Sequence, residues 1–308
     1  MNSRKRILLA FGKGTLNQAV LKTLQEADFQ VTKLSWTEKV RLPKERYDYL
    51  IQMGRDPAAL TEGTRHLLEK ARKERAEFLL ISSLKASTKA TTTKEATYLE
   101  SLHFAEALTR EFQQRYGLTT TILRLPTMFG PGIPPTESGT LGYLISEFSR
   151  GSTLTVYGEG KESNHYLYLT DAADAVKLAL TLKDKEGEVR HAVPPAPLSS
   201  AAIAETLKEM GGGRHEICYH KGLTSELSSA DATEEGVKLE GKVLSHFRPQ
   251  VSLKEGILET LKALPADESE TRKNFLARLV QLRAQRRNCK RSPIAPQFLK
   301  NSFRQKSD

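Results

Sequence analysis

A continuous apolar run from Ile7 to Phe11 is closed by Gly12-Lys13-Gly14 and followed by apolar positions at Leu16, Ala19, Val20 and Leu24. The run reads as a buried strand, and the helical spacing after it as one face of a helix ending near Asp28. Phe29 to Trp36 then alternates as a second strand. Strand, glycine turn, helix and strand make the opening unit of a doubly wound parallel sheet.

The alternation continues. Tyr47 to Met53 reads as a strand, Thr61 to Arg75 as a helix, and Phe78 to Ile81 as a strand that ends in Ser82-Ser83. A long helix from Lys94 to Tyr116 leads into a strand from Thr119 to Leu125. After Pro126 the chain is rich in Gly and Pro as far as Gly142. A helix near Leu144 to Ser149, strands Leu154 to Tyr157 and Tyr166 to Leu169, and a helix from Asp171 to Leu182 follow. The pattern predicts an α/β chain: a Rossmann-like doubly wound parallel sheet covered by helices on both faces. A smaller C-terminal lobe, built mainly from 133–165 and 190–250, would face the sheet across a cleft. Together these make one domain over 1–264.

Charge separates the last segment from the rest. The 308 residues carry a net charge of +10. Residues 265–308 hold eleven Lys or Arg against four Asp or Glu, so +7 of the total belongs to them. Asp267, Glu268 and Glu270 precede a helical pattern with Phe275, Leu276, Leu279 and Leu282 on one side, an order that suits the helix dipole. From Arg291 onward, Pro293 and Pro296 interrupt any periodicity, so the basic tail should be helical and then extended. Arg283, Arg286, Arg287, Lys290, Arg291, Lys300, Arg304 and Lys306, interspersed with Phe298 and Phe303, suit phosphate neutralisation with occasional stacking. RNA or a ribonucleoprotein is favoured over an acidic membrane, because the final segment lacks a long apolar face.

The amino terminus offers five consecutive apolar residues, too few for a signal peptide or a membrane span, so a cytoplasmic or other reducing compartment is expected. Cys218 and Cys289 lie far apart. His215, Cys218 and His220 fall within a short stretch but read as positions along a strand, so no metal is expected.

Dinucleotide-binding chemistry enters at Gly12-x-Gly14-x-x-Asn17. Glycines here permit the tight turn and the close approach of backbone to a pyrophosphate, although the third glycine of the usual pattern is Asn17. Further fragments follow in order. Gly63-Thr64 stands before Leu67-Leu68, Ile81-Ser82-Ser83 ends a strand, and Tyr98 and Glu106 share the next helix. Arg124-Leu125-Pro126 runs into Phe129-Gly130-Pro131-Gly132. Val156-Tyr157-Gly158-Glu159-Gly160 precedes Tyr168-Leu169-Thr170-Asp171-Ala172-Ala173, and Ser252-Leu253-Lys254-Glu255-Gly256 comes near the end. With these the chain resembles the extended short-chain dehydrogenases/reductases, the NAD-dependent epimerases and dehydratases. The resemblance implies NAD or NADP held at Gly12, Gly14, Thr15 and Leu16 with help from Ser82 and Pro126, and Tyr98 as the remnant of a catalytic tyrosine. It also implies a homodimer through the Tyr98 helix, with Leu99, Leu102, His103 and Glu106 near the seam.

The departures from the family are equally specific. A lysine four residues after the tyrosine would lower the phenol's pKa and hold the nicotinamide ribose, but that position is Leu102. The catalytic Ser or Thr aligns with Leu84, leaving Ser83 or Ser87 as substitutes. Lys94 lies four residues before Tyr98 and offers another cation. Without a nearby cation the phenol should stay near its usual value of about 10. The acidic residue that reads the adenine ribose is replaced by Leu34-Ser35-Trp36, and the gap from Trp36 to Tyr47 is too short for another helix and strand. The arginine that would clamp a sugar nucleotide is Asn164, and Asp171 reads as a helix cap. The expectation is an inactive member serving as a binding or scaffold subunit, with the tail on an anionic partner. The alternative is an active NAD(P)-dependent sugar-nucleotide epimerase, dehydratase or reductase with rearranged residues.

Overall fold

The computed structural model describes residues 4–12, 14–36, 41–88, 90, 92–182, 188–220 and 241–264. Residues Met1–Leu264 form one compact unit. The predicted tail helix and its basic candidates, Arg283 to Lys306, lie outside the described residues.

Seven parallel strands form the central sheet: β1 (Arg6–Phe11), β2 (Gln30–Ser35), β3 (Tyr49–Gln52), β4 (Glu77–Ser83), β5 (Thr120–Leu125), β10 (Val189–His191) and β13 (Lys242–Val243). Their spatial order is β2-β1-β3-β4-β5-β10-β13. The chain runs outward from β1 to β2, returns to β3 on the other side, and continues away. The order therefore reverses at β1 and β3, which is where open α/β sheets bind ligands. Among the described residues no strand flanks β2 on its outer side.

Strand alternation explains the two cores. Ile7, Leu9, Ile51, Leu79 and Leu123 point to one face and bury against α1 (Thr15–Glu26) and α5 (Leu169–Thr181) through Val20, Leu24 and Val176. Leu8, Ala10, Leu50, Phe78, Leu80 and Ile122 point to the other. They meet α2 (Thr64–Glu74) and α3 (Thr93–Tyr116) through Leu67, Leu68, Ala105 and Phe112. Near-continuous apolar strands are the consequence of burial on both faces.

The remaining elements are β6 (Thr127–Phe129), α4 (Gly139–Ser149), β7 (Leu154–Tyr157), β8 (Ser163–Asn164), β9 (Tyr166–Tyr168), β11 (Leu198–Ser199), α6 (Ser200–Met210), β12 (Ile217–His220) and α7 (Leu253–Ala263). They form three two-stranded sheets, β6-β9, β8-β11 and β7-β12. β10 and β13, at the edges of the 190–250 stretch expected to build a smaller lobe, join the main sheet. His215 precedes β12, its ring against Phe148, so only Cys218 and His220 of the three clustered side chains lie on that strand. No helix among the described residues is long and apolar enough to cross a membrane.

Candidate functional site

The candidate residues gather at the carboxyl ends of β1, β4 and β5, except Tyr98, which stands on α3. Gly12 follows β1, and α1 starts after Gly14 with no side-chain cap and no acid in its first turn. A Cβ at Gly12 would meet nothing within 4 Å, and one at Gly14 only the Asn17 amide at 3.6 Å. Among the described residues nothing crowds Gly12, as close approach of a phosphate to backbone requires. Asn17, buried, donates its amide to the Gly12 carbonyl. It ties the helix to the turn where a glycine would otherwise allow close packing. Leu16 packs against the sheet core. Thr15 donates its hydroxyl to the Gly132 carbonyl at 2.6 Å, so the Gly130-Pro131-Gly132 loop closes onto the first turn of α1. Gly130 and Gly132 have φ of 140° and 77°, conformations that favour glycine.

Ser82, at the end of β4, is committed to a buried ion pair. Its hydroxyl donates to Glu106 Oε1 at 2.6 Å. Arg124, in register beside Ser82, donates through Nε to Oε1 at 2.8 Å and through Nη2 to Oε2 at 2.7 Å. Arg110 adds a third guanidinium contact at 3.1 Å, and Arg124 Nη1 reaches the Ser87 hydroxyl at 2.9 Å. Burial works to raise the Glu106 carboxyl. The hydrogen bonds and charge of Arg124, with Ser82 and Arg110, outweigh burial and hold it below the usual carboxylate range. Pro126, buried, separates β5 from β6 at this edge.

Tyr98 stands on α3 with its ring against a buried cluster of Leu60, Ala86, Leu99 and Leu102. Leu102, at the lysine position, is 1% exposed. Leu84, at the serine position, is also buried, in a 3-10 turn over Leu84–Ser87. Ser83 accepts from the Lys85 amide and Ser87 from Arg124, so both substitute hydroxyls have structural partners. His103 fastens the same turn by donating Nε2 to the Ala86 carbonyl at 2.7 Å. Lys94 is exposed in the first turn of α3.

The structure corrects the picture of an isolated phenol in two ways. Burial pushes the Tyr98 hydroxyl above its ordinary value, and a cation does act on it, Arg55 in the loop after β3, drawing it down without reversing the shift. Sequence reasoning missed Arg55, although its place just beyond a strand's carboxyl end is a signal for the ligand edge. The seam residues need correction too: Leu99, Leu102 and Glu106 are buried within the chain, while His103 and Phe104 are exposed. Asp171 caps no helix, since α5 already begins at Leu169; its carboxylate accepts from the Gln250 and Val251 amides at 2.9 and 3.2 Å. Asn164 is buried, its Oδ1 accepting from the His165 amide, and its Nδ2 has no partner among the described residues.

Residues 56–192 match the NAD dependent epimerase/dehydratase family. Over that stretch the chain is similar to this family. An uncharacterized UDP-glucose epimerase of Bacillus subtilis (strain 168) is 24% identical over 161 residues, covering 52% of this chain and 48% of that protein. UDP-glucuronic acid decarboxylase 1 of Xenopus tropicalis is 24% identical over 166 residues, 54% of this chain and 38% of the relative. The matched stretch thus spans half or less of these relatives. In solved structures the likeness is broader. UDP-glucose 4-epimerase of Thermotoga maritima, solved with UDP-glucose, superposes with a TM-score of 0.61 at 20% identity, covering 84% of this chain and 98% of that one. UDP-glucuronic acid 4-epimerase of Bacillus cereus, solved with UDP-glucuronic acid and NAD, gives 0.61 at 17% identity with the same coverage. The fold of the epimerase/dehydratase family is therefore present across the described domain.

For a nicotinamide dinucleotide, the Gly12–Gly14 turn and the uncapped start of α1 fit the pyrophosphate, with Thr15 and the Gly130–Gly132 loop beside them. At the adenosine end β2 finishes in Ser35, followed by Trp36, and neither carries a carboxylate.

Proposed function

We propose that this chain is a nucleotide-holding member of the epimerase/dehydratase family that does not turn over sugar nucleotides and serves as a binding or scaffold subunit. The observation that carries the reading is Leu102, buried one turn from Tyr98. With an aliphatic side chain there and burial raising its pKa, the phenol keeps its proton at neutral pH and cannot act as a base. A bound nicotinamide dinucleotide supplies hydride exchange in this family. The chain's part here is to receive the pyrophosphate on backbone at Gly12–Gly14 and to keep Ser82 engaged with Glu106.

In this reading the basic extension, residues 265–308, engages an anionic macromolecule, RNA or a ribonucleoprotein, in preference to an acidic membrane. An exposed free thiol at Cys218 suits the cytoplasm or another reducing compartment. A homodimer is carried over from the family.

The second reading is an active NAD(P)-dependent sugar-nucleotide epimerase, dehydratase or reductase with rearranged residues. What favours it is Arg55, whose charge acts on Tyr98 in place of a lysine. Incubating the purified full chain with NAD and UDP-glucose or UDP-glucuronic acid, with separation of the sugar nucleotides afterwards, decides between them. The first reading expects bound nucleotide and unchanged sugars; any epimerised, decarboxylated or dehydrated product rejects it.

A further inference from the structure

The Gly12–Gly14 turn lies at the carboxyl edge of the sheet. At the opposite edge, where β1, β3 and β4 begin and α2 ends, the chain encloses a cavity of about 410 Å³ whose wall consists entirely of charged residues and tyrosines. Ligand sites of this size usually have mostly apolar walls, so this one suits a small, charged and hydrophilic molecule.

Two of the acids on this wall are spent on the fold. Asp48 accepts from the Lys5 ammonium at 2.9 Å and from the Arg6 amide at 2.7 Å. Glu74 accepts from Lys70 and from the Tyr47 amide. The arginines are not spent in this way: among the described residues Arg6, Arg46 and Arg75 form no ion pair. Arg6 lies over the Tyr47 ring at 5.2 Å, a contact that uses the face of the guanidinium and leaves its in-plane N–H donors for an oxyanion. Arg46 donates one N–H to the Glu74 carbonyl at 3.2 Å. Arg75 ends α2 in the left-handed conformation, φ 58°, with the Ala76 amide closing the turn on the Ala71 carbonyl. Glycine fills that position with less strain, because a Cβ there crowds the backbone. The helix end alone therefore does not call for an arginine, and its place on the cavity wall does.

We propose that this cavity binds a phosphate ester of a small, hydroxyl-rich molecule. Arg6, Arg46 and Arg75 receive the phosphate, for which the guanidinium fork is the matching donor. Tyr49 and Glu77, paired in register on β3 and β4, line the same cavity and take the hydroxyls, since a carboxylate accepts from them and a phenol can do either. Glu77 repels a bare anion, which favours a ligand whose uncharged part lies against it. The site is independent of the nucleotide reading, because the strands separate it from the Gly12–Gly14 turn.

The full chain is titrated by calorimetry with glucose 6-phosphate, glycerol 3-phosphate, inorganic phosphate and glucose, and its thermal melting is followed alongside. At least one ester should bind more tightly than inorganic phosphate, and glucose should not bind. Arg75→Gly removes a guanidinium while relieving the left-handed residue, so it should melt no lower than the parent and still weaken the ester roughly tenfold or more. Arg46→Gln, at an exposed position, should weaken the ester as well. Glu77→Gln should weaken the ester and not inorganic phosphate. Should Arg75→Gly melt lower, Arg46→Gln at the parental melting temperature decides. Unchanged ester affinity in both arginine variants would put the binding on other cations, those of residues 265–308 included, and overturn the site. Inorganic phosphate binding as tightly as both esters would overturn it too, as would a parent chain that binds none of the three phosphates.

Discussion

Arg124 grips both carboxylate oxygens of Glu106, at 2.8 and 2.7 Å, and so joins the end of β5 to the middle of α3 inside the core. Neither residue is in contact with solvent to any useful extent, and Ser82, Ser87 and Arg110 complete their hydrogen bonding. The network lies beneath the helix that carries Tyr98. Glu106, on that same helix, is the anchor that fixes it against the strand ends, whether or not any chemistry occurs above it.

Replacing Glu106 by Gln should therefore be costly, because it leaves the Arg124 guanidinium buried without a counter-charge. The expected loss is about 3–5 kcal/mol in urea denaturation. A Glu106→Leu, Arg124→Met double variant should lose less than the single one. The same pair sets an acid limit. Since the folded carboxyl is held below its ordinary range, its contribution is complete above the unfolded value of about 4.3 and is lost as pH falls through the folded value. Denaturation curves for the parent chain should move to lower urea below that pH, and those for the double variant should move less. A Glu106→Gln chain as stable as the parent would show the pair to be dispensable.

Leu102→Lys restores the family residue but not its surroundings. The new ammonium would start among Leu60, Ala86 and Leu99, with Leu84 still at the serine position. We expect a loss of roughly 2–4 kcal/mol in urea melts and no turnover of UDP-glucose. Gain of turnover at parental stability would mean that the site was one residue from competence.

The fold was legible because strands buried on both faces read as continuous apolar runs, as in Ile7 to Ala10 and Phe78 to Ile81, with helical spacing between them. What was hidden were relationships between residues distant in sequence. Asp171 looks like a cap because it precedes an alanine-rich helix, yet it holds the backbone at Gln250 and Val251. Leu99 and Leu102 could have faced a partner or the core, and helical periodicity cannot choose when both faces carry apolar residues; contact with Leu60 and Ala86 settles it for the core. Arg55 and Trp36 belong to loops, where no periodicity exists to assign them a direction.

Gly256, in the Ser252–Gly256 fragment, has a packing reason. A Cβ there would lie 2.8 Å from Phe129 and 2.9 Å from Tyr168, whose rings meet edge to face at 5.5 Å. Ser252 caps the same helix by accepting from the Glu255 amide. Gly256→Ala should cost about 1–3 kcal/mol by overpacking, read as a lower melting temperature. Adding Phe129→Leu should return part of it. A neutral Gly256→Ala would show that the rings turn aside freely.

Removal of residues 265–308 tests the tail. Met1–Leu264 is a compact unit by itself, so the truncated chain should keep a cooperative thermal transition. It should lose its salt-sensitive affinity for structured RNA, because +7 of the chain's +10 charge goes with the tail. Each phosphate neutralised by a Lys or Arg releases counterions on binding, so a plot of log affinity against log salt steepens with the number of such contacts. The full chain should give a steep negative slope and the truncated one a slope near zero with much weaker binding. If the two slopes and affinities coincide, the cations of the tail are not the contact, and any RNA affinity must come from the folded domain, where the remaining excess of +3 is spread over the first 264 residues.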